Sequence, residues 1–205
     1  MPDVLPIALG LALIAPLPAV AAAVDEPPRA SAGDYVLDGR TASLVIRLSG
    51  LVGFPPPILR LTKLEGRLHY DPERPDRASV EVAADPRSVQ ASHNPVAHRA
   101  QALFEPEKFP TIRFASRTLT WDGARGEAKG ELTFHGVTRP MTLAVALAAP
   151  RRDGEDAEER VRFTGHGRLK RSAFGLAQGR PFVSDTVGLT FDLEFVKPPA
   201  AQAAR

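Results

Sequence analysis

The chain has 205 residues, 43% of them hydrophobic, and this length suits one domain with a substantial core. It contains no cysteine, which excludes a disulfide framework, a thiol nucleophile and a thiolate metal site. The formal net charge is only +2, and no basic stripe is interleaved with aromatic residues, so we expect a soluble surface and no nucleic-acid partner.

Residues 1–23 are typical of a cleaved signal peptide. An apolar run extends from Leu5 to Val20 and is followed by three small residues, Ala21, Ala22 and Ala23, as a signal peptidase requires. The run contains prolines and is shorter than the roughly 20 residues that cross a bilayer core. We therefore expect export with cleavage and not a membrane anchor.

Two polar segments bound the folded part. Residues 24–33 are rich in charge and proline and are predicted to form a linker, and residues 198–205 are predicted to be a disordered tail. Within 34–197, apolar and polar residues alternate with a period of two. This pattern predicts antiparallel strands with one dry face and one wet face.

The connections between these segments are short and contain Gly, Pro and Asp, as hairpins require. About eight such strands are typical of a barrel or a sandwich, and a barrel leaves no exposed edge. We therefore predict an all-β fold, an antiparallel eight-stranded β-barrel with one short helix. The inward rows are Leu44, Ile46 and Leu48; Leu68; Val80 and Val82; Ile112 and Phe114; Leu132 and Phe134; Met141, Leu143, Val145 and Leu147; Val161, Phe163 and Leu169; Val187, Leu189, Phe191, Leu193 and Phe195.

One segment departs from the period of two. Asn94 is a good helix cap, Pro95 suits the first helical position and Pro106 would end the helix, so we predict a helix over 95–104. Its apolar face, at i, i+4 and i+7, consists of Val96, Ala100 and Leu103.

An apolar loop over 49–57 contains three prolines that keep it out of the strand ladder. Leu51 and Phe54 in this loop would either pack on the barrel, line the mouth of a tunnel or enter a membrane surface. These alternatives are open at this point.

The residues carry no catalytic or metal motif. The five histidines are scattered, without the spacing of a metal site, and there is no Gly-x-Ser-x-Gly turn. His135 is predicted to point outward beside Gly136 and to hydrogen-bond within that turn. We expect no enzyme activity, no cofactor and no metal, although a Ser, His and Asp set drawn from distant positions stays open as an alternative.

The inward residues allow two interpretations, because a small barrel is either filled by its own side chains or keeps room for a ligand. Gly165, Gly167 and Ala84 lie on the inward parity, and their small size would leave space inside the barrel. Periodicity alone does not choose between the two.

Two segments, 104–114 (FEPEKFPTIRF) and 130–140 (GELTFHGVTRP), resemble the YceI-like family. Three more resemble it in the same order, 64–72 (LEGRLHYDP), 168–176 (RLKRSAFGL) and 184–189 (SDTVGL). The resemblance implies a lipocalin-like barrel in the periplasm that binds a polyisoprenoid or quinone-type lipid in an apolar tunnel. It also suggests a membrane b-type cytochrome as a partner, and a homodimer is a further expectation.

The function predicted from these observations is non-catalytic binding and carriage of a long-chain lipid. The alternatives are a packed module that assists a membrane redox partner and a lipid-directed hydrolase. The residues predicted to contact the lipid are Leu44, Ile46, Leu48, Leu68, Val80, Val82, Phe104, Phe109, Ile112, Phe114, Leu132, Phe134, Leu143, Val145, Phe163, Leu169, Phe174, Leu189, Phe191 and Phe195.

Overall fold

The computed structural model describes residues 30–50, 57–74, 77–122, 125–148, 150–151, 158–178 and 183–198. The predicted signal peptide 1–23, Leu51 and Phe54 lie outside these residues, as do most of the predicted linker and tail. The strands are β1 Gly33–Leu37, β2 Ser43–Gly50, β3 Ile58–Leu61, β4 Leu64–Tyr70, β5 Ser79–Ala84, β6 Val89–Ala91, β7 Ile112–Asp122, β8 Arg125–Phe134, β9 Val137–Leu147, β10 Arg160–Lys170 and β11 Val183–Val196. The helix α1 is Asn94–Phe104, and two short 3₁₀ turns are Pro86–Ser88 and Arg171–Phe174.

Eight strands form a closed antiparallel ring. In the ring each strand pairs with the next, and β1 closes it by pairing Val36 with Val196 and Leu37 with Phe195 of β11. The predicted eight-stranded antiparallel barrel with one helix is therefore confirmed. The order around the ring is β1, β4, β5, β7, β8, β9, β10 and β11.

Three more short strands, β2, β3 and β6, extend the wall at one end. β1 pairs with the last residues of β11, whereas β2 pairs with its earlier part, for example Leu48 with Val187. β3 and β4 are separated by two residues, and β2 pairs with β3 as β1 pairs with β4. Three strand positions of the barrel are thus each built from two strands. The pairs are β1 with β2, β4 with β3, and β5 with β6.

The strands predicted from the alternation pattern do not include 58–61. Leu59 and Leu61 are buried and alternate with exposed neighbours, but four residues directly after Pro57 give only two periods of the pattern. The alternation is present but too short to be separated from the proline-containing loop.

Helix α1 lies where the wall is split. β7 pairs with β5, and no pairing joins it to β6 among the described strands. The predicted helix is confirmed, but its cap is not Asn94. His93 occupies the N-cap position without a side-chain hydrogen bond, and the C-cap residue is Glu105, whose φ of 46° is left-handed. Pro95 still falls among the first helical positions, where no backbone N–H is needed.

The opposite end of the barrel is closed by a polar cluster. Glu159 is 6% exposed and accepts hydrogen bonds from the Ser31 backbone N–H (2.7 Å) and hydroxyl. The Tyr35 hydroxyl donates to the Ser31 carbonyl oxygen (2.6 Å), and the Lys197 ammonium donates to the Ser31 hydroxyl (2.9 Å). Residues 30–33, which fall within the predicted linker, therefore pack on the barrel.

Candidate ligand-binding cavity

Two adjoining cavities lie inside the barrel. The larger has a volume of about 460 Å³ and is enclosed by β2, β3, α1 and the facing parts of β10 and β11. The smaller, of about 110 Å³, lies deeper, among β4, β5, β7, β9 and the later part of β11. Four side chains line both cavities: Leu44, Ile112, Leu132 and Leu189.

The walls are almost wholly apolar. Every residue that lines the deep cavity is apolar. In the larger cavity the polar or charged lining residues are Arg99, Arg171 and Gln178. Because Arg99 and Gln178 are exposed, they mark where this cavity reaches the surface. The lining defines two adjoining apolar cavities, of which the larger has a polar mouth.

The structure brings most of the predicted contact residues together. Two of the predicted residues, Phe109 and Phe174, line neither cavity. The others line at least one, and their contact with a ligand stays a prediction. These are Leu44, Ile46, Leu48, Leu68, Val80, Val82, Phe104, Ile112, Phe114, Leu132, Phe134, Leu143, Val145, Phe163, Leu169, Leu189, Phe191 and Phe195.

Phe109 and Phe174 pack against other aromatic side chains and line neither cavity, and their contact with a ligand stays a prediction. Phe109 follows the end of α1, and its ring packs on His135, with the ring centroids 4.5 Å apart. Phe174 is buried against Phe134, with centroids 5.8 Å apart. Both rings support the wall from outside the cavities. Strand parity could not place them, since neither residue belongs to a strand.

Further lining residues were not predicted as contacts. Met141, Val187 and Leu193 lie on inward rows, so the alternation pattern would have found them. Leu176 follows a 3₁₀ turn and carries no periodic signal. The others include Pro57, Leu59, Leu61, Leu64, Ala84, Leu119, Ala128 and Val183.

The expected space at two glycines is not present. A methyl group at Gly165 would collide with the ring of Phe191, and one at Gly167 would meet Leu143 and Met141. Side chains from the neighbouring strands fill these positions. Ala84 does line the deep cavity. The room for a ligand comes mainly from the split between β6 and β7, where α1 replaces a strand.

Arg171 is a structural residue of the mouth. It is 7% exposed and its guanidinium donates to the carbonyl oxygens of Leu176 (2.6 Å), Gln178 (2.5 Å), Val183 (2.9 Å) and Ser184 (2.9 Å). A planar guanidinium can serve several acceptors at once, whereas a lysine ammonium is a compact point charge. Arg171 therefore joins the 3₁₀ turn to the start of β11.

His135 connects its own turn to the end of α1 and to the 3₁₀ turn that ends at Phe174. Its φ is 51°, and its Nδ1 lies 3.1 Å from the carbonyl oxygen of Phe174. Its Nε2 lies 3.3 Å from Oε1 of Glu105, at the end of α1. The prediction of a hydrogen bond within the turn is thus wrong, because the partners are distant in sequence.

Over the part of the chain that the structure describes, no group of three or more His, Asp or Glu side chains could hold a metal ion. In the same residues, no helix has the length and hydropathy needed to cross a membrane.

A closed antiparallel barrel around an apolar cavity defines the class of lipocalin-like barrels. A model of the YceI-like domain matches residues 35–195, so the chain belongs to the YceI-like family. A UPF0312 protein of Vibrio cholerae is 31% identical over 162 residues, which cover 77% of this chain and 85% of the relative.

Two solved structures have the same fold. Burkholderia cenocepacia BcnA is 21% identical with a TM-score of 0.67, and the match covers 77% of this chain and 98% of BcnA. A polyisoprenoid-binding domain from Saccharophagus degradans, implicated in plant cell wall breakdown, is 18% identical with a TM-score of 0.61. That match covers 80% of this chain and 98% of the domain.

Proposed function

We propose that this protein binds and carries a polyisoprenoid or another long-chain amphiphilic lipid, such as a quinone, without catalysing a reaction. The observation that carries the proposal is the pair of adjoining apolar cavities, of about 460 and 110 Å³, with polar groups only at the mouth. Ligand pockets in proteins commonly measure about 300–1,000 Å³. A solidly packed module that acts only through a partner would not need this space.

The chemistry of the walls selects the ligand class. A charged group would be desolvated without compensation in the deep cavity, whose lining is apolar throughout. Each buried methylene contributes about 0.8 kcal/mol, so a five-carbon isoprene unit contributes up to about 4 kcal/mol before ordering costs. The similarity of the fold to the polyisoprenoid-binding domain of Saccharophagus degradans supports the same class.

The apolar lining of the deep cavity is also the reason for proposing that the protein does not catalyse a reaction. General acid–base or nucleophilic chemistry requires a titratable or nucleophilic side chain within hydrogen-bond reach of the substrate. None lines the deep cavity within the described residues. The reactive end of a lipid would therefore have to lie at the mouth, beside Arg99 and Gln178.

The proposal includes a periplasmic location, which is supported by the apolar run and small residues at the start of the sequence. A membrane b-type cytochrome partner and a homodimer stay predictions from the family resemblance.

The test is loading of lipid-free protein with solanesol or ubiquinone, measured by extraction after gel filtration. Leu143 lines the deep cavity, and Thr142 beside it is exposed. Leu143→Asn should reduce loading at least tenfold, because the amide would meet the chain without a hydrogen-bond partner. Thr142→Asn, the matched control, should load normally. Equal loading of both variants, each folded by circular dichroism, would contradict the proposal.

A further inference from the structure

The outer face of the wall that encloses the larger cavity is basic. We define the basic face as Arg47 on β2, Arg60 on β3, and His166, Arg168 and Lys170 on β10. Arg47 pairs in register with Gly188 of β11, and Gly188 pairs with Arg168. All five basic residues are exposed. They therefore share one continuous surface of the sheet.

The face contains no acidic side chain. Among the described residues, Arg60, Arg168 and Lys170 have no ion-pair partner, and Arg47 donates to the Thr190 hydroxyl (3.2 Å). Asp185 lies beside the face, and its carboxylate accepts hydrogen bonds from Ser172. The outward positions of the face are Val45, Arg47, Ile58, Arg60, His166, Arg168, Lys170, Thr186, Gly188 and Thr190.

Two arginines on other parts of the barrel are neutralised. Arg113 pairs with Glu81 at 2.5 Å, and Arg162 pairs with Asp192. Unlike these two arginines, Arg60 and Arg168 have no ion-pair partner among the described residues, so the basic face keeps its positive charge.

The face also offers room and an apolar contact. A side chain at Gly188 would meet only the Arg47 carbonyl oxygen, at 3.9 Å, so the space between Arg47 and Arg168 is open. Neighbouring strands are about 4.8 Å apart, which places those two backbones about 10 Å apart. Ile58, opposite Arg47, is 44% exposed. A phosphate group fits between the two arginines, and Ile58 gives the face an apolar side chain on the far side of Arg47.

We infer that the basic face docks on the surface of an anionic phospholipid bilayer. Unpaired Lys and Arg side chains are attracted to anionic headgroups. Pro57, directly before Ile58, lines the larger cavity, so docking places the outer wall of this cavity against the bilayer. That the contact serves lipid exchange rests on the proposed function. The outward positions carry no Phe, Tyr or Trp on which bases could stack, which disfavours a nucleic acid.

The test is co-sedimentation of the purified protein with vesicles of phosphatidylcholine, with and without phosphatidylglycerol. Each Lys or Arg near an anionic surface contributes about fivefold to partitioning. The triple variant R47Q/R60Q/R168Q should bind the anionic vesicles about 100-fold more weakly than the unchanged protein. In the control R113Q/K129Q/R162Q the same charge is removed from ion-paired positions, since Lys129 pairs with Glu127 at 3.5 Å. The control should bind within about threefold of the unchanged protein.

Binding only to the vesicles that contain phosphatidylglycerol, lost in the first triple variant and at high salt, supports the inference. Equal binding to both vesicle types, or equal loss in both triple variants, overturns it. Displacement from the vesicles by an oligonucleotide at equal charge concentration overturns it in favour of nucleic acid. Solanesol loading of the unchanged protein is measured separately from detergent, so that failure of vesicle binding and failure of lipid binding are distinguished.

Discussion

The ring of Phe104, at the end of α1, meets the ring of Phe134 edge to face, with centroids 5.2 Å apart and an interplanar angle of 81°. Both rings line the larger cavity, and Phe134 also contacts Phe174. Aromatic pairs of this geometry contribute about 0.5–1.5 kcal/mol beyond the burial of their area. The pair fixes the helix in the place where β6 and β7 do not join.

Phe104→Ala should loosen this closure. We expect the free energy of unfolding to fall by about 3 kcal/mol, because a buried ring is lost from a wall that already borders a cavity. Loaded lipid should also dissociate faster. Urea denaturation and the rate of lipid transfer to acceptor vesicles measure the two effects. His98→Ala, on the exposed side of α1, is the control and should change neither. An unchanged transfer rate in Phe104→Ala would contradict the role of the pair.

Leu132→Trp should shorten the lipid that the protein accepts. Leu132 lines both cavities, so a larger side chain there would block the passage from the mouth to the deep cavity. When offered a mixture of polyprenols, the variant should select shorter chains than the unchanged protein, as measured by mass spectrometry of the extract. Glu131→Trp, at the exposed neighbouring position, should keep the original chain-length distribution. An identical distribution in both variants would mean that the deep cavity does not hold the chain.

Arg171→Lys should destabilise the protein although it keeps the charge. A lysine ammonium cannot replace the fork that serves four carbonyl oxygens, and each buried acceptor left unsatisfied costs about 1–3 kcal/mol. We expect a loss of at least about 2 kcal/mol in the free energy of urea unfolding. Arg168→Lys, on the exposed face of β10, should change it by less than about 0.5 kcal/mol. Equal effects of the two substitutions would refute the structural role of Arg171.

Tyr35 should make stability depend on alkaline pH. Burial raises the pKa of Tyr35 to about 12, and the neighbouring Glu159 carboxylate adds to the rise, while the hydrogen bond with Ser31 opposes it. Because the folded state holds the phenol proton more tightly than the unfolded state, this stabilisation is complete below pH 10.0 and is lost as the pH rises towards 12.

The measurement for Tyr35 is the free energy of unfolding as a function of pH in the unchanged protein and in Tyr35→Phe. The difference between them should be constant at neutral pH and should shrink above pH 10.0. Ultraviolet absorbance of the phenolate should show one phenol that ionises late and that Tyr35→Phe removes. Ionisation of that phenol near its ordinary pKa would contradict its burial.

Period-two alternation predicted the barrel wall because it depends only on which side of a strand meets the core. Leu143 and Val145 follow it in β9, and both line the deep cavity. The same signal fails in β3, where four residues beside a proline-containing loop are too few. The helix could also be predicted, since Val96 and Ala100 have helical spacing and face the larger cavity.

Contacts between distant segments could not be predicted in this way. His135 has two hydrogen-bond partners that are distant in sequence. Glu105 lies 30 residues away and Phe174 lies 39 residues away. At Gly165, sequence parity correctly indicated an inward position, but the space is taken by Phe191 from the neighbouring strand. Strand parity specifies direction and not which neighbour fills a volume. The size of the cavity therefore depends on strand pairing and on the placement of α1, which the alternation pattern does not contain.

Organic extraction of the purified protein shows whether the apolar cavities hold a long-chain lipid. Mass spectrometry of the extract would be compared with a mock purification from cells that lack the protein. The extract should contain an isoprenoid or quinone-type lipid in near-stoichiometric amount. An extract without lipid, from a folded protein that also takes up no added ubiquinone, would contradict this expectation.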